Sequence, residues 1–252
     1  MSQKRLFLDP GHGGNDPGAM ANGLREKDLN LQIAQDVFTK LMLHWNITVE
    51  MSRNKDVFVS LGDRVKHARE FGPDWFFSIH CNAASSPDAN GYEDYVHPQA
   101  SELSKAFRNR MHPFPAAHFE LHNRTIRGRR EANFFVLRET PMPACLIECG
   151  FLTNQRDAEL LKDNAFLDAL GTAIVRGIAS ALELSPKKPK QEEESSPALE
   201  EQATLIADTL LNIERAVDEA ERLRRGHAEI MEYLDGEILE MKRLIGLSGE
   251  GG

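Results

Sequence analysis

Two hydrophobic patterns alternate along the first 184 residues of the chain. Short apolar runs, which predict strands, are followed by longer segments whose apolar residues recur every three or four positions, which predict helices. Predicted strands cover residues 4–9, 46–51, 74–80, 92–97, 133–137 and 144–149. Predicted helices cover residues 27–44, 59–71, 99–111, 155–162 and 164–183. The alternation predicts an α/β fold in which helices cover a central sheet. Residues 112–131 are irregular and basic, and we expect a functional or mobile loop there rather than part of the core.

The composition changes at residue 185. Residues 185–197 contain three prolines, several charges and no apolar residue, which predicts a solvated linker. The sequence therefore predicts an α/β body over residues 1–184 and a separate acidic helical tail over residues 198–252.

The predicted tail has apolar residues at the spacing of a coiled-coil seam. A shortened step between residues 220 and 223 interrupts the repeat. The seam consists of Ile206, Leu210, Ile213, Val217, Ala220, Leu223, Ile230, Leu234, Ile238, Met241 and Ile245. Such a seam needs a partner surface. Homo-oligomerisation through residues 198–246 or docking to a target is favoured over folding back on the body, because the linker detaches the tail.

Charge is distributed unevenly between body and tail. From residue 191 onward there are 16 acidic and 6 basic residues, whereas the body is almost neutral. Nucleic acid is therefore not an expected partner. No apolar run approaches the roughly 18 residues of a membrane span. The first apolar run, Leu6 to Leu8, is shorter than the roughly 7–15 residues of a secretory signal, so we expect accumulation in the cytoplasm until another factor releases the protein.

The three cysteines do not suggest a disulfide framework. Side chains alternate along a strand, so Cys81 points away from any site that His80 faces. Cys145 and Cys149 likewise point away from a site that Glu148 faces. Buried structural thiols are the favoured interpretation, and cysteine catalysis is the alternative.

The best candidate for chemistry begins at the first strand. The run from Leu6 to Gly14 ends an apolar strand in a turn rich in proline and glycine, with His12 at its tip. Glu26 precedes the first predicted helix, and His80 and Glu148 end two apolar strands. Two histidines and a carboxylate can bind zinc with one open position, and a second carboxylate can act on the water held there. This set predicts a zinc hydrolase.

Each residue also has a structural explanation. Glu26 suits a helix N-terminus as a negative charge, and His80 suits a hydrogen-bonded position in the core. Glu148 would be desolvated, so it must be paired, metal-linked or protonated, and a buried ion pair with an arginine such as Arg64 is the competing explanation.

Four blocks of sequence resemble one family. They are residues 8–19, which begin LDPGHGG; residues 23–31, GLREKDLNL; residues 78–83, SIHCNA; and residues 136–154, which include PACLIECGFLTN. In this order and spacing the chain resembles the zinc-dependent N-acetylmuramoyl-L-alanine amidases of the third amidase family, over roughly residues 4–183.

The resemblance implies a six-stranded mixed sheet flanked by helices. It implies that His12, Glu26 and His80 bind one zinc ion and that Glu148 is the catalytic glutamate. Arg64 matches a family arginine of less certain role, and we expect Arg64 and Asn82 to contact substrate. The implied reaction cleaves the amide between the lactyl group of N-acetylmuramic acid and L-alanine in bacterial peptidoglycan.

Several functions remain open within this resemblance. A phage or prophage endolysin is favoured, with a sporulation-type autolytic amidase of the same chemistry as the alternative. A non-catalytic muropeptide-binding module and a scaffold dominated by its tail are further alternatives. The tail matches none of the known cell-wall-binding modules, and wall targeting stays one of its expected roles.

Overall fold

The computed structural model describes residues 3–122 and 128–187, and the predicted tail lies outside these residues. The described strands are β1 (Lys4–Pro10), β2 (Met20–Ala21), β3 (Leu24–Arg25), β4 (Ile47–Met51), β5 (Trp75–Asn82), β6 (Tyr92–Val96), β7 (Arg129–Glu131) and β8 (Ala144–Phe151). The helices are α1 (Glu26–His44), α2 (Leu61–Phe71), α3 (Glu102–Met111), α4 (Pro113–Ala116), α5 (Phe135–Glu139), α6 (Gln155–Lys162) and α7 (Asn164–Leu182). The predicted α/β fold is confirmed.

Six strands form one mixed sheet in the order β4-β1-β5-β8-β6-β7. The first four strands in this order, β4, β1, β5 and β8, are parallel to one another. Strand β6 runs antiparallel to β8, and β7 is parallel to β6. The remaining two strands, β2 and β3, form a small hairpin before α1. Because β1, β5 and β8 are adjacent and parallel, their carboxyl ends meet at one edge, which is where α/β sheets commonly bind ligands.

The two faces of the sheet carry cores of different size. The larger core contains Leu8, Ile79 and Ile147 from the strands and apolar residues of α1, α3 and α7. The smaller core contains Phe7 and Phe76 from the strands, covered by α2 and α5. Since side chains alternate along a strand, the carboxyl ends of β1, β5 and β8 present their polar residues on the side of the smaller core.

One predicted strand is wrong. Residues 133–137 were expected to be a strand, but Phe135–Glu139 form α5. A run of four apolar residues cannot distinguish a strand from one turn of a buried helix by periodicity. The Thr140 hydroxyl donates to the Val136 carbonyl and completes this turn.

The actual strand beside β6 is β7, which the sequence did not indicate because its three residues are charged and exposed. The expected loop over residues 112–131 contains α4 and a 3-10 helix at Ala117–His122, while residues 123–127 lie outside the described part.

The body extends slightly into the predicted linker. The backbone N–H of Asn46 donates to the Ser185 carbonyl, and the Lys187 N–H donates to the His44 carbonyl. The linker from residue 188 onward lies outside the described residues.

Among the described helices, α7 alone has the length and apolarity of a membrane span. It packs against α1 and α3 in the larger core, and 56% of its 18-residue apolar stretch is buried inside the protein.

Candidate metal centre and catalytic carboxylate

Three predicted ligands converge at the carboxyl edge of the sheet. His12 follows β1, His80 lies near the end of β5, and Glu26 is the first residue of α1. One nitrogen or oxygen from each of the three lies within 4.8 Å of the others. His12 Nε2 is 3.2 Å from Glu26 Oε2, and His80 Nδ1 is 2.8 Å from Glu26 Oε1.

This donor set fits a catalytic zinc site. Ligand atoms about 2.0–2.1 Å from zinc at tetrahedral angles lie about 3.3 Å apart, so donor atoms within 4.8 Å of one another are close enough to surround one ion. Two imidazoles and one carboxylate leave one position of a tetrahedron for water or substrate, as in catalytic rather than structural zinc sites.

A neighbouring carboxylate orients His12. The Nδ1 atom of His12 lies 2.8 Å from Asp16 Oδ2, and an ionised carboxylate only accepts hydrogen bonds. A proton on Nδ1 satisfies this contact, while Nε2 faces Glu26. Metal-binding histidines are commonly held by such a second partner. Asp16 had no role assigned from the sequence, because spacing within an irregular loop does not show which side chains meet.

Two glycines make room for the ligands. A Cβ on Gly11 would lie 2.1 Å from His80 Cε1, so only glycine lets the β1 chain pass the imidazole. A Cβ on Gly18 would lie 2.5 Å from Glu26 Oε2, and the φ of +64° there also favours glycine.

Two buried arginines hold the backbone around His12. Arg53 donates to the carbonyls of Gly11 and Lys27, which are the neighbours of two ligands. Arg64 donates to the carbonyls of Pro10 and His12. His12 itself has a φ of +60°, an uncommon conformation for a residue other than glycine. These bonds offset the strain that this conformation carries.

Arg64 forms its ion pair with a different carboxylate from the one considered in the sequence analysis. It is 3% exposed and its Nη1 lies 2.6 Å from Asp9 Oδ1, so Asp9, and not Glu148, is its ionic partner. The competing explanation of Glu148, a buried ion pair with Arg64, is therefore not supported, and the substrate contact expected of Arg64 stays a prediction. All of its described hydrogen bonds go to the protein around His12, which supports a positioning role.

The electrostatics of the three ligands favour cation binding. Burial alone would raise the pKa of Glu26, but contacts with His12 and His80 outweigh it and hold that pKa well below its ordinary value. Burial alone would lower the pKa of His12, but the carboxylates of Glu26 and Asp16 raise it. The site therefore contains an ionised carboxylate that attracts positive charge to the two imidazoles.

Glu148 lies beside this cluster. It pairs in register with His80 across β5 and β8, and it lines the same cleft of about 310 Å³ as the three ligands. Burial, followed by the like charges of Glu26 and Glu93, raises the pKa of Glu148 well above its ordinary value. Its Oε2 is buried and has no hydrogen-bond partner among the described residues, so this oxygen is available to a water or a substrate.

Asn82 also lines the cleft, as expected for a substrate contact. Its Nδ2 donates to Glu93 Oε2, while Tyr95 and Arg130 bind the same carboxylate. Glu93 is buried directly opposite Glu148 in the pairing of β6 with β8. The sequence analysis missed Glu93; its signal is a charged residue in a strand that is otherwise suited to burial.

The three cysteines are buried, which confirms the structural interpretation. Burial raises the pKa of each thiol, which disfavours the reactive thiolate, and all three cysteines belong to the larger core. Cys81 also borders the cleft, between His80 and Asn82, while its thiol is buried. Cysteine catalysis at this cleft is therefore not supported.

A family model described as N-acetylmuramoyl-L-alanine amidase matches residues 6–180 of the chain. The chain belongs to the N-acetylmuramoyl-L-alanine amidase family. It is accordingly an amide hydrolase of the type that degrades the bacterial cell wall, as the four sequence blocks indicated. The family is generally zinc-dependent, in agreement with the donor set of the site.

The amidase is similar to several named relatives. It is 42% identical over 182 residues to the N-acetylmuramoyl-L-alanine amidase CwlM of Bacillus licheniformis, a match that covers 72% of this chain and 70% of the relative. It is 39% identical to a sporulation-specific N-acetylmuramoyl-L-alanine amidase of Bacillus subtilis, covering 71% and 69%. It is 36% identical to an endolysin of Bacillus phage SPP1, covering 77% and 73%.

The amidase also shares its fold with solved structures. It superposes on an N-acetylmuramoyl-L-alanine amidase from Clostridium difficile with a TM-score of 0.68 at 38% identity. That match covers 72% of this chain and 98% of the other, and therefore concerns the body rather than the tail.

Proposed function

We propose that this amidase hydrolyses the bond between the lactyl carbonyl of N-acetylmuramic acid and the amine of L-alanine, with one zinc ion held by His12, Glu26 and His80 and with Glu148 as the general base and acid. The observation that carries the proposal is the position of Glu148. An unpaired carboxylate oxygen with a raised pKa lies in one cleft with three convergent zinc-type donors.

Zinc, when bound, polarises a carbonyl and makes water a better nucleophile at neutral pH. Glu148 then removes a proton from the attacking water through its free oxygen and passes it to the departing amine nitrogen. The raised pKa of Glu148 suits both steps, since the group must accept and return a proton near neutral pH. Asp16 keeps the Nδ1 proton on His12, and Asn82 offers an amide to the polar groups of the substrate.

The test is digestion of purified peptidoglycan by the wild type and by Glu148→Gln, each with and without a zinc chelator. Mass spectrometry would detect the free lactyl carboxylate and the new amino terminus of L-alanine. We expect both products only with zinc and Glu148, and a loss of at least 100-fold in Glu148→Gln, the scale of general acid–base catalysis. Glu148→Gln should retain zinc, whereas His12→Ala should lose it. Retained turnover in Glu148→Gln would refute the assignment.

We further propose that the biological role is host lysis as an endolysin, released from the cytoplasm when lysis begins. Similarity to the SPP1 endolysin supports this role, and similarity to the sporulation-specific amidase supports the alternative of a mother-cell autolysin. Timing of expression separates the two. Induction during phage lysis would support the endolysin role, and induction confined to sporulation would refute it.

For the tail we propose homo-oligomerisation through residues 198–246, carried by the periodic seam in the sequence. Sedimentation of the full chain should show an oligomer that Ile213→Asp and Ile238→Asp together convert to monomer. A monomeric wild type would refute the proposal and leave wall targeting as the expected role of the tail.

A further inference from the structure

Large apolar side chains are exposed around the cleft. Leu61 is 53% exposed and Phe134 is 38% exposed, and both line the cleft that holds His12 and Glu148. Val57 and Phe58, 37% and 54% exposed, belong to the loop that packs against Gly13 and Gly14, directly after His12. Four of the seven large hydrophobic residues exposed in the described part of the chain therefore lie in or beside the cleft. Exposed apolar side chains grouped in this way commonly mark a binding surface.

Phe134 is held in place by its neighbours. The Phe134 ring packs against Tyr95 with a centroid separation of 5.2 Å, and the Tyr95 hydroxyl donates to the buried Glu93. The preceding residue, Asn133, is fixed by Arg138, whose Nη1 donates to Asn133 Oδ1 over 2.9 Å. Phe134 is thus held in place before any ligand binds, while part of its ring remains accessible.

Leu61 is also held in place by its surroundings. Leu61 is the first residue of α2, and the Ser60 side chain caps this helix by accepting from the Asp63 N–H. The Arg64 side chain donates to the Val59 carbonyl, two residues before Leu61, over 3.0 Å. An exposed leucine on a capped and anchored helix start can contact a ligand with little loss of conformational entropy on binding.

The proposed substrate carries methyl groups close to the scissile bond, which apolar side chains can contact. The carbonyl side carries the methyl of the lactyl group and, close by on the sugar, the methyl of the N-acetyl group. The amine side carries the methyl of L-alanine. The substrate thus carries methyl groups on both sides of the amide, among the polar groups of the sugar and the peptide.

We propose that Leu61 and Phe134 are specificity-determining residues that contact the methyl-bearing groups next to the scissile amide. This inference rests on the proposed amidase function of the same cleft. The contacts orient the amide against Glu148 and favour alanine over glycine at the position after the bond. Because Leu61 and Phe134 are not among the three zinc ligands, their replacement should alter substrate binding without altering zinc binding.

The test uses two soluble N-acetylmuramoyl peptides that differ only in L-alanine or glycine after the lactyl group. One buried methyl group should give the wild type about a fourfold preference for alanine in kcat/KM. We expect Leu61→Ser and Phe134→Ser each to raise KM about 3–10-fold, because each removes a partly buried apolar contact. At least one of them should reduce the alanine preference toward unity.

Two controls separate substrate contact from a loss of structure. Leu43→Ser alters a leucine that is 63% exposed near the end of α1 and does not line the cleft, so it should leave KM unchanged. Phe134→Leu keeps an apolar side chain and should restore most of the wild-type KM. Zinc content and thermal unfolding, measured for each variant, should stay at wild-type values for Leu61→Ser.

Wild-type KM and alanine preference in both serine variants would overturn the inference while leaving the amidase function intact. A rise in KM for Leu43→Ser equal to that of Leu61→Ser would also overturn it. Failure of the wild type to cleave either peptide or purified peptidoglycan would instead refute the amidase function, and this inference with it.

Discussion

Replacement of Arg64 by methionine tests how the site is supported. Arg64 and Asp9 are 3% and 1% exposed, so solvent does not screen their ion pair. Arg64→Met would leave the Asp9 carboxylate buried without its cationic partner, which typically costs 3–5 kcal/mol in the free energy of unfolding. The Pro10 carbonyl keeps the bond from Arg53, so its contribution to the loss is small. We therefore expect a loss of about 3–5 kcal/mol.

The assay is urea unfolding of the full chain followed by the fluorescence of its two tryptophans, with a chelator present so that metal binding does not contribute. Lys66→Met is the matched control on the same helix. Lys66 is 69% exposed and its Nζ lies 3.9 Å from Glu70, and exposed pairs of this kind contribute at most about 1 kcal/mol. The double variant Asp9→Asn with Arg64→Met removes the unpaired charge and should recover more than half of the loss.

The dependence on pH provides an independent check. Burial alone would raise the pKa of Asp9, but Arg64 and the Ser52 hydroxyl outweigh it and hold that pKa below its ordinary value. A lowered pKa contributes stability above the unfolded value near 3.8, and this contribution is lost as pH falls through the folded value. Without Arg64 the pKa of Asp9 should rise, so the difference between wild type and variant should shrink as pH falls. A loss below about 1 kcal/mol, or a double variant as unstable as Arg64→Met, would refute the reasoning.

Two further predictions concern metal binding. Gly11→Ala places a Cβ against the His80 ring and should weaken zinc affinity about 10–100-fold in chelator competition, the effect typical of displaced ligands, whereas Gly62→Ala should not, because its Cβ would meet no described atom closer than 3.9 Å. Equal affinities in both variants would contradict the close packing at Gly11. Zinc affinity should also fall as pH drops through the raised pKa of His12, because the proton must leave before Nε2 can bind a metal. In Asp16→Asn the fall should begin at a lower pH, and an affinity that is constant between pH 5.5 and 8 would exclude His12 as a ligand.

The alternation of side chains along strands made much of the site predictable. Phe76, Ser78 and His80 share one face of β5, and the burial of Cys81 on the other face follows from the same period of two. The apolar runs of β1, β5 and β8 predicted buried strands with polar residues at their ends. These residues meet at one edge because the three strands are adjacent and parallel. Glu26 required the resemblance, since a carboxylate at a helix N-terminus has a structural explanation of its own.

Other features depend on contacts between segments that are distant in sequence. Arg64 reaches Asp9 across 55 residues, and no local pattern distinguishes this partner from Glu148. The position of α5 in place of a strand was decided by packing: Val136 and Leu137 both face the smaller core, which neighbouring residues of a strand cannot do. For β7, pairing with β6 overrides a composition that is poor for strands.

The charged strand β7 has a consequence for the behaviour of the protein at high concentration. It is the last strand of the sheet in the described residues, so its outer N–H and C=O groups have no neighbouring strand there. Such an edge invites pairing with another chain and the growth of aggregates. With only three residues, Arg129, Arg130 and Glu131, all exposed and charged, the edge is too short and too hydrophilic to act as a template. The strand that the sequence did not indicate thus protects this edge of the sheet from edge-to-edge association.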